Sequence, residues 1–427
     1  MPPSHPHSHG PDPDAPPPSP EVRTRRRRAV WLMLLLLVPV GLATVIGLVA
    51  LWPGDEPTRA QQAAELFLPP GTTYPEGRVS SVEPFDCSLP GAGGPAQELT
   101  CAIVVVEVLD GEGAGEFQQL EIPAEVYAAG VETGDVLVLN RDAAAEEGGG
   151  YSFRDYDRDV PIVVLTVVFA VATVAVARLR GLAALLGLAF AFFVMLQFLL
   201  PGLLGDSSPT LISLVGSAAI MFVVLYLAHG FSARTTTALV GTLFGLALVA
   251  VLGAVSVDVA RLTGLTSEET TTLLQYDPAL DFSGLVLAGV VVAGLGVLND
   301  VTITQASAIW QLHEVDPGMT WRDLYRRGMA VGRDHIASTV YTIVFAYAGA
   351  SLPLLMLFEL YAQPWDVVLT SSAMAEEVIR TLVGSIALVL AVPVTTAAGA
   401  FFAKAADTQA GASTERRLTA LRSRFAR

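Results

Sequence analysis

Eight apolar segments, each long enough to cross a lipid bilayer, constrain this 427-residue chain more than any other feature. Lipid offers the backbone no hydrogen-bond partners, so a segment of about 20 apolar residues is stable in a membrane as an α-helix. The sequence therefore predicts a polytopic α-helical membrane protein with about eight transmembrane helices. The segments lie at about 29–52, 160–177, 181–204, 209–228, 235–256, 283–303, 336–358 and 380–402.

The basic residues indicate how these helices are oriented. Most of the 25 Lys and Arg residues fall in the two tails, 1–28 and 404–427, and in alternate loops. An even number of spans puts both termini on the same side of the membrane. Because positive charge is enriched on the cytoplasmic side, that side is the cytoplasm. We expect a disordered tail with an Arg cluster at 1–28, a first helix at 29–52, a seven-helix domain at 160–403 and a basic tail at 404–427.

Residues 53–159 have the composition of a soluble domain, placed outside the cytoplasm by this topology. The runs 100–108, 117–122 and 135–139 are rich in β-branched residues and are bounded by glycine-containing turns, which is typical of short strands. We expect a small β-barrel, with an OB-like barrel among the candidates. Acidic residues outnumber basic ones here, so the surface either attracts a cation or a basic protein partner or simply solubilises the domain.

The two cysteines, Cys87 and Cys101, both lie in this region. An extracytoplasmic setting favours a disulfide between them, and two buried free thiols are the alternative.

Several enzyme classes are excluded by residue usage. Lys404 is the only lysine and is not part of a Gly-Lys-Ser/Thr sequence, so a P-loop is excluded. His313-Glu314 is followed by Pro317 at the position where a metalloprotease needs a second histidine. We expect no enzyme, no cofactor, no resident metal and no nucleic-acid partner. The alternating histidines of the first tail could hold a metal, but in such a tail they are more often incidental.

One stretch, 294–307, starts as an apolar helix and then becomes polar within the same span. At about 100° per residue, Gly296, Asp300, Thr304 and Ser307 share one helical face, with Asn299 beside it. An ionisable residue inside a membrane is costly unless it is paired, protonated or hydrated, so Asp300 is a candidate functional residue. The alternative is that Asp300 only anchors the cytoplasmic end of its helix.

The last two spans also carry polar faces, and the three faces together predict a hydrated path for a cation or proton. Arg333 or His335 would be the switching partner of Asp300. For any single hydroxyl, the structural role of an interhelical hydrogen-bond donor is the favoured interpretation, and Pro393 is expected to kink the eighth span. The remaining path candidates are Thr339, Thr342, Thr381, Ser385 and Thr396.

Two loops are predicted to contain short helices. A capping pattern at 266–269 favours a helix in the outer loop 257–282. In the cytoplasmic loop 304–335, Trp321, Leu324 and Tyr325 precede Arg326 and Arg327, which suits a helix lying against anionic lipid headgroups or, alternatively, docking a protein partner.

Five runs of the chain resemble the YibE/F-like family of bacterial integral membrane proteins. The Asn-Asp-Val-Thr block at 299–302 and the Gly-Arg-Asp block at 332–334 are the most specific, and the high Arg-to-Lys ratio resembles actinobacterial members. The resemblance spans most of 55–403 and implies a multi-pass protein of the bacterial plasma membrane. Many relatives carry two acids where this chain has Asn299-Asp300, which weakens a divalent-cation site here. The five runs are 220–230, 296–307, 332–338, 346–353 and 377–385.

From these observations we expect a transporter or permease component for an ion or small solute, with Asp300 in a polar intramembrane path. The alternative function is a non-transporting sensor or assembly protein that binds a partner through its extracytoplasmic domain. A hydrated path across the bilayer favours the first function, and a dry bundle favours the second.

Overall fold

The computed structural model describes residues 20–54, 56–67, 71–88, 98–142, 150–361 and 364–406, with the side chains of 20–30, 32, 66, 67 and 406 left out. Most of both predicted tails lies outside these residues. The helices are α1 (Pro20–Ala50), α2 (Arg59–Phe67), α3 (Ala124–Ala128), α4 (Asp159–Val194), α5 (Leu200–Leu203), α6 (Pro209–His229), α7 (Ala233–Val259), α8 (Glu268–Tyr276), α9 (Phe282–Val315), α10 (Trp321–Ala350), α11 (Leu352–Leu360), α12 (Trp365–Thr370) and α13 (Ser372–Ala406). The strands are β1 (Glu76–Asp86), β2 (Thr100–Val108), β3 (Phe117–Ile122), β4 (Val136–Arg141) and β5 (Tyr151–Tyr156).

The chain divides into two compact units, residues 57–178 and residues 1–56 together with 179–427. The division falls within α4, after Arg178, and the first buried residue of this helix is Gly181. The predicted boundary at 159, between the extracytoplasmic domain and the membrane domain, stays a prediction.

The smaller unit is built on one antiparallel sheet with strand order β3-β2-β1-β4-β5. Alternate residues of β2 and β4, including Val104, Val106, Leu137 and Leu139, are fully buried on one face, as a half-buried sheet requires. The predicted strands at 100–108 and 117–122 are confirmed, and the third begins one residue later than predicted.

This sheet is curled into a half-barrel, so the closed barrel expected from the sequence is only partly formed. The edge strands β3 and β5 approach each other within 8 Å at their Cα atoms, but they do not pair. The predicted disulfide is confirmed: Cys87 and Cys101 are bonded, with their Cα atoms 5.7 Å apart, where β1 and β2 meet.

The described residues contain six helices long and apolar enough to cross a membrane, or seven if the bent pair α10–α11 counts as one span. That count treats 159–203 as a single segment, although Arg178 adopts a left-handed backbone (φ 55°) that interrupts α4. At about 1.5 Å per residue the segment would be roughly 67 Å long, more than twice the hydrocarbon thickness. The chain is thus a multi-pass helical membrane protein, and the figure of eight spans stays a prediction.

Two loop predictions and one span prediction can be compared with the helix boundaries. The outer-loop helix is confirmed as α8, whose N-cap is Ser267 in a capping box with Thr270. In the predicted cytoplasmic loop 304–335, the helix expected from Trp321 is confirmed as the first part of α10, and residues up to Val315 are also helical because α9 continues to that residue. The cytoplasmic position of this connection stays a prediction. The predicted span 336–358 is bent by 65° between α10 and α11, where Pro353 has no amide hydrogen to continue the ladder.

Helix α9 is the centre of the larger unit and packs against α6, α7, α10 and α13. Small residues allow close approach: a Cβ on Gly245 of α7 would overlap Leu298 of α9. A continuous apolar cluster from α7, α9 and α13, including Val249, Val290 and Ala387, fills one half of this bundle. Four neighbouring helices therefore cover most of the surface of α9.

Candidate functional site

The most buried polar groups of the bundle form a cluster where α7, α9, α10 and α13 meet. Thr242 and Thr302 share a hydrogen bond of 2.6 Å, and Gln305 Nε2 donates to Thr396 Oγ1 at 2.7 Å and to the Gly328 carbonyl at 2.9 Å. The four side chains are at most 2% exposed. Thr396, predicted to line a path, belongs to this dry and hydrogen-bonded cluster, which we call the buried cluster.

The polar face of α9 points away from this cluster. Gly296, Asp300 and Thr304 are exposed on a helix whose other faces are buried, and nothing lies within 4 Å of a Cβ placed on Gly296. Within the described part of the chain, the Asp300 carboxylate has no hydrogen-bond or ion-pair partner. We call the face formed by Gly289, Gly296, Asp300 and Thr304 the polar stripe.

Two neighbours of the polar stripe are partly covered. Ser307 is half-buried, and the Oδ1 atom of Asn299 is buried without a hydrogen-bond partner. An unpartnered buried amide oxygen is costly, so Asn299 marks a place where a water, an ion or a polar solute would be stabilised.

The polar residues of α10 do not assemble as the sequence suggested. Thr339 and Thr342 donate to carbonyls of their own helix, at 2.9 and 3.3 Å. His335 is half-buried with an unpartnered Nε2, whereas Arg333 is exposed. Two residues apart on a helix means about 200° of rotation, so Arg333 and His335 cannot both face Asp300.

In α13, Thr381 also donates to its own helix, at 2.8 Å from the Glu377 carbonyl, and Ser385 is half-buried. Back-bonding of this kind satisfies the hydroxyl and leaves its oxygen lone pairs available. The predicted path residues thus divide among the buried cluster, the polar stripe and two helix surfaces, and the structure does not bring all of them to one place.

A charged group that the sequence analysis missed lies at the start of α13. Arg380 Nη1 is 2.6 Å from Glu377 Oε1, and both side chains are 26% exposed. Glu376 is 7% exposed, and its Oε2 accepts a hydrogen bond of 3.0 Å from Thr266 in the loop before α8. We call Glu376, Glu377 and Arg380 the charged group.

This group leaves polar atoms unsatisfied inside the bundle. Glu376 Oε1 and Arg380 Nε are buried and have no hydrogen-bond partner among the described residues. Buried charges without full pairing cost folding free energy, so a ligand that satisfied these atoms would be stabilised here. A cavity of about 270 Å³ adjoins the group, lined by Tyr347, Glu377 and Thr381 among mostly apolar residues.

The charged group also reaches the polar stripe. A Cβ on Gly289 would lie 3.7 Å from Arg380 Nη2, an ordinary van der Waals distance, so the guanidinium lies beside α9 at this position. The two features therefore adjoin at the end of the bundle where α9 and α13 begin.

The sequence contained a signal for the charged group, but the predicted start of the eighth span lay too late in the chain to include it. Two acids and an arginine at i, i+1 and i+4 run directly into an apolar segment, which places all three on the first turns of a membrane helix. The predicted eighth span began at 380, so the acids were assigned to a solvated loop. In the described ranges, no three His, Cys, Asp or Glu side chains come together as a metal site.

Comparison with known proteins identifies the family but adds no characterised relative. A family model described as YibE/F-like protein matches residues 165–405. No curated protein and no solved structure matches the chain. The matched region covers more than half of the chain and contains the buried cluster, the polar stripe and the charged group, and the chain belongs to the YibE/F-like protein family.

Proposed function

We propose that this chain is a transporter or permease component that moves an ion or a small solute along the polar stripe of α9. The observation that carries the proposal is the charged group beside Gly289, with its unpartnered buried atoms Glu376 Oε1 and Arg380 Nε. We further propose that the protein is not an enzyme and lies in the bacterial plasma membrane with both termini in the cytoplasm.

The polar stripe supplies a second charged position on the same surface. Asp300 is eleven residues beyond Gly289, which is about 16 Å along α9 at 1.5 Å per residue. An ionised carboxylate facing lipid costs several kcal/mol, so the open side of the polar stripe is better solvated by water or a polar solute than by acyl chains. A groove with Arg380 near one end and Asp300 further along would offer successive sites to a passing ion.

The half-barrel would serve this function as an extracytoplasmic domain. Its strand order, with α3 placed between β3 and β4, corresponds to an OB-like barrel that has not closed between β3 and β5. We propose that it binds either a solute before entry or a basic protein partner.

The test is solute flux in proteoliposomes, screened across protons, monovalent and divalent cations, and small anions. Flux by the wild-type protein should be lost in Asp300→Asn and in Arg380→Gln. Glu359→Gln provides the control, because it removes an exposed carboxylate of α11 outside the three features. Thermal unfolding in detergent should show that each variant is folded.

The proposal fails if the folded wild-type protein passes none of these solutes, or if both site variants retain full flux. Loss of flux in Glu359→Gln as well would mean that removing any charge abolishes flux. It would also contradict the assignment of Asp300 and Arg380 to the transport site.

A second candidate function is a non-transporting sensor or assembly protein. The observation in its favour is the buried cluster, whose side chains Thr242, Thr302, Gln305 and Thr396 are hydrogen-bonded to one another or to neighbouring backbone and closed to water. A dry centre of this kind holds helices in fixed positions, which suits a scaffold. Absence of flux combined with cross-linking of a partner to the half-barrel would favour this function.

A further inference from the structure

An apolar groove lies between α1 and the helices α6 and α7, on a side of the bundle not used by the features above. Its volume is about 560 Å³, within the range of small-molecule sites. Helix α1 contributes most of one wall. The lining residues are Met33, Leu34, Leu37, Val38, Gly41, Leu42, Val45, Phe222, Tyr226, Ala233 and Thr236.

The length of the groove corresponds to one leaflet of a bilayer. From Met33 to Val45 is twelve residues, or about 18 Å of helix, compared with about 15 Å for half of the hydrocarbon thickness. Beyond the groove the helices close together, because a Cβ on Gly47 of α1 would lie 2.7 Å from Val215 of α6.

The groove has polar and cationic groups at one end only. Thr236 and Tyr226, at that end, share a hydrogen bond of 3.1 Å, and Arg234 directly follows the lining residue Ala233. Arg180 and Arg234 both lie within electrostatic range of His229 at the end of α6.

The size of the groove decides between a lipid chain and a helix as its occupant. A helix with side chains is at least about 10 Å across, so an 18 Å length of it occupies on the order of 1,400 Å³. All the open space of the groove, about 1080 Å³ including the part open to the side, is smaller than that volume. A single acyl chain is thin enough to enter, and the arginines at one end complement a phosphate there.

We propose that this groove binds an anionic phospholipid, with one acyl chain between α1 and α6 and the phosphate against Arg234, Arg180 and His229. Basic sites between transmembrane helices hold anionic headgroups by this combination of apolar wall and positive end. The site does not depend on the proposed transport function.

The experiment measures lipid retained by the full-length protein after purification from nanodiscs containing equal amounts of phosphatidylglycerol and phosphatidylcholine, counted by native mass spectrometry. Gly41→Leu should fill the groove, since a Cβ there meets only Phe222 at 3.6 Å. Arg234→Gln should remove one headgroup contact. Each change is expected to lower bound phosphatidylglycerol by about fivefold and to leave phosphatidylcholine unchanged.

Two matched controls accompany these variants. Ala43→Leu adds the same side chain to an exposed face of α1 outside the groove, and Arg78→Gln removes an exposed arginine from the half-barrel. Both should retain phosphatidylglycerol as the wild-type protein does. If Gly41→Leu does not fold, as judged by thermal unfolding, Arg234→Gln alone decides the question.

Equal retention of the two lipids by the wild-type protein would overturn the proposal and indicate annular lipid only. Unchanged phosphatidylglycerol in Arg234→Gln, or an equal loss in Arg78→Gln, would overturn it as well.

Discussion

Gly241→Ala is expected to destabilise the protein, although alanine is the better helix former. Gly241 is buried in α7 where this helix crosses α13. An added Cβ would overlap Thr395 Oγ1, lie 3.0 Å from Thr395 Cβ and lie 3.3 Å from Thr302 Cγ2. Thr395 is fully buried and its hydroxyl donates to the Ala391 carbonyl at 2.7 Å, so it cannot move away without losing that bond.

Two opposing effects set the size of the change. Replacing glycine by alanine within a helix gains about 1 kcal/mol of helix propensity. Overpacking a well-filled core costs about 1–3 kcal/mol, and the displaced hydroxyl adds about 1 kcal/mol for its broken hydrogen bond. The free energy of unfolding should therefore fall by about 1–3 kcal/mol in total.

The measurement is equilibrium unfolding in mixed detergent micelles, followed by tryptophan fluorescence. Gly296→Ala is the matched control, because it makes the same change inside α9 where nothing lies within 4 Å of the new Cβ. It should stabilise the protein by up to about 1 kcal/mol. Thr395→Ala should remove the clash, so the double variant with Gly241→Ala should be more stable than the two single effects predict.

A Gly241→Ala protein as stable as the wild type would refute this reasoning. So would strict additivity with Thr395→Ala, since additivity means that the two sites are not in contact.

Three further predictions concern the disulfide, the topology and Asp300. Cys101→Ala should lower the stability of the half-barrel by about 3 kcal/mol, because Cys87–Cys101 closes a loop of about 15 residues; intact-mass analysis without reductant should find no alkylatable thiol in the wild type. Single cysteines replacing Arg180 and Asp206 should label differently with an impermeant reagent added outside, and labelling of 180 alone would reverse the proposed orientation. Asp300→Asn should leave the unfolding temperature in detergent unchanged, since its carboxylate is exposed and has no partner among the described residues.

Patterns local in sequence predicted much of the architecture. Long apolar segments predicted the membrane helices, and β-branched runs between glycine turns predicted the strands β2, β3 and β4. The bond between Cys87 and Cys101 followed from the expected compartment. These features depend on one segment and its solvent, so neighbouring helices were not needed to infer them.

Helix boundaries were harder to predict, because polarity alone does not end a helix. The polar residues after Thr304 suggested a loop, but Gln305 and the apolar Ile309 are buried against α10 and α13, so α9 continues to Val315. The same error at the start of a helix assigned Glu376 and Glu377 to a loop, although they belong to the first turns of α13. In both places tertiary contacts, which a hydropathy profile does not contain, keep polar residues helical.

The sequence by itself determined that this is a multi-pass membrane protein with a small β-domain, and it identified the polar face of α9. Only the tertiary structure decided that the neighbouring helices leave this face of α9 uncovered. Periodicity places Asp300, Thr304 and Gly296 on one face but does not say which helices cover it, because packing depends on side-chain shapes on other segments. The packing of α7 and α13 against the opposite side of α9 leaves Asp300 exposed and buries Thr302, and it brings Arg380 beside Gly289.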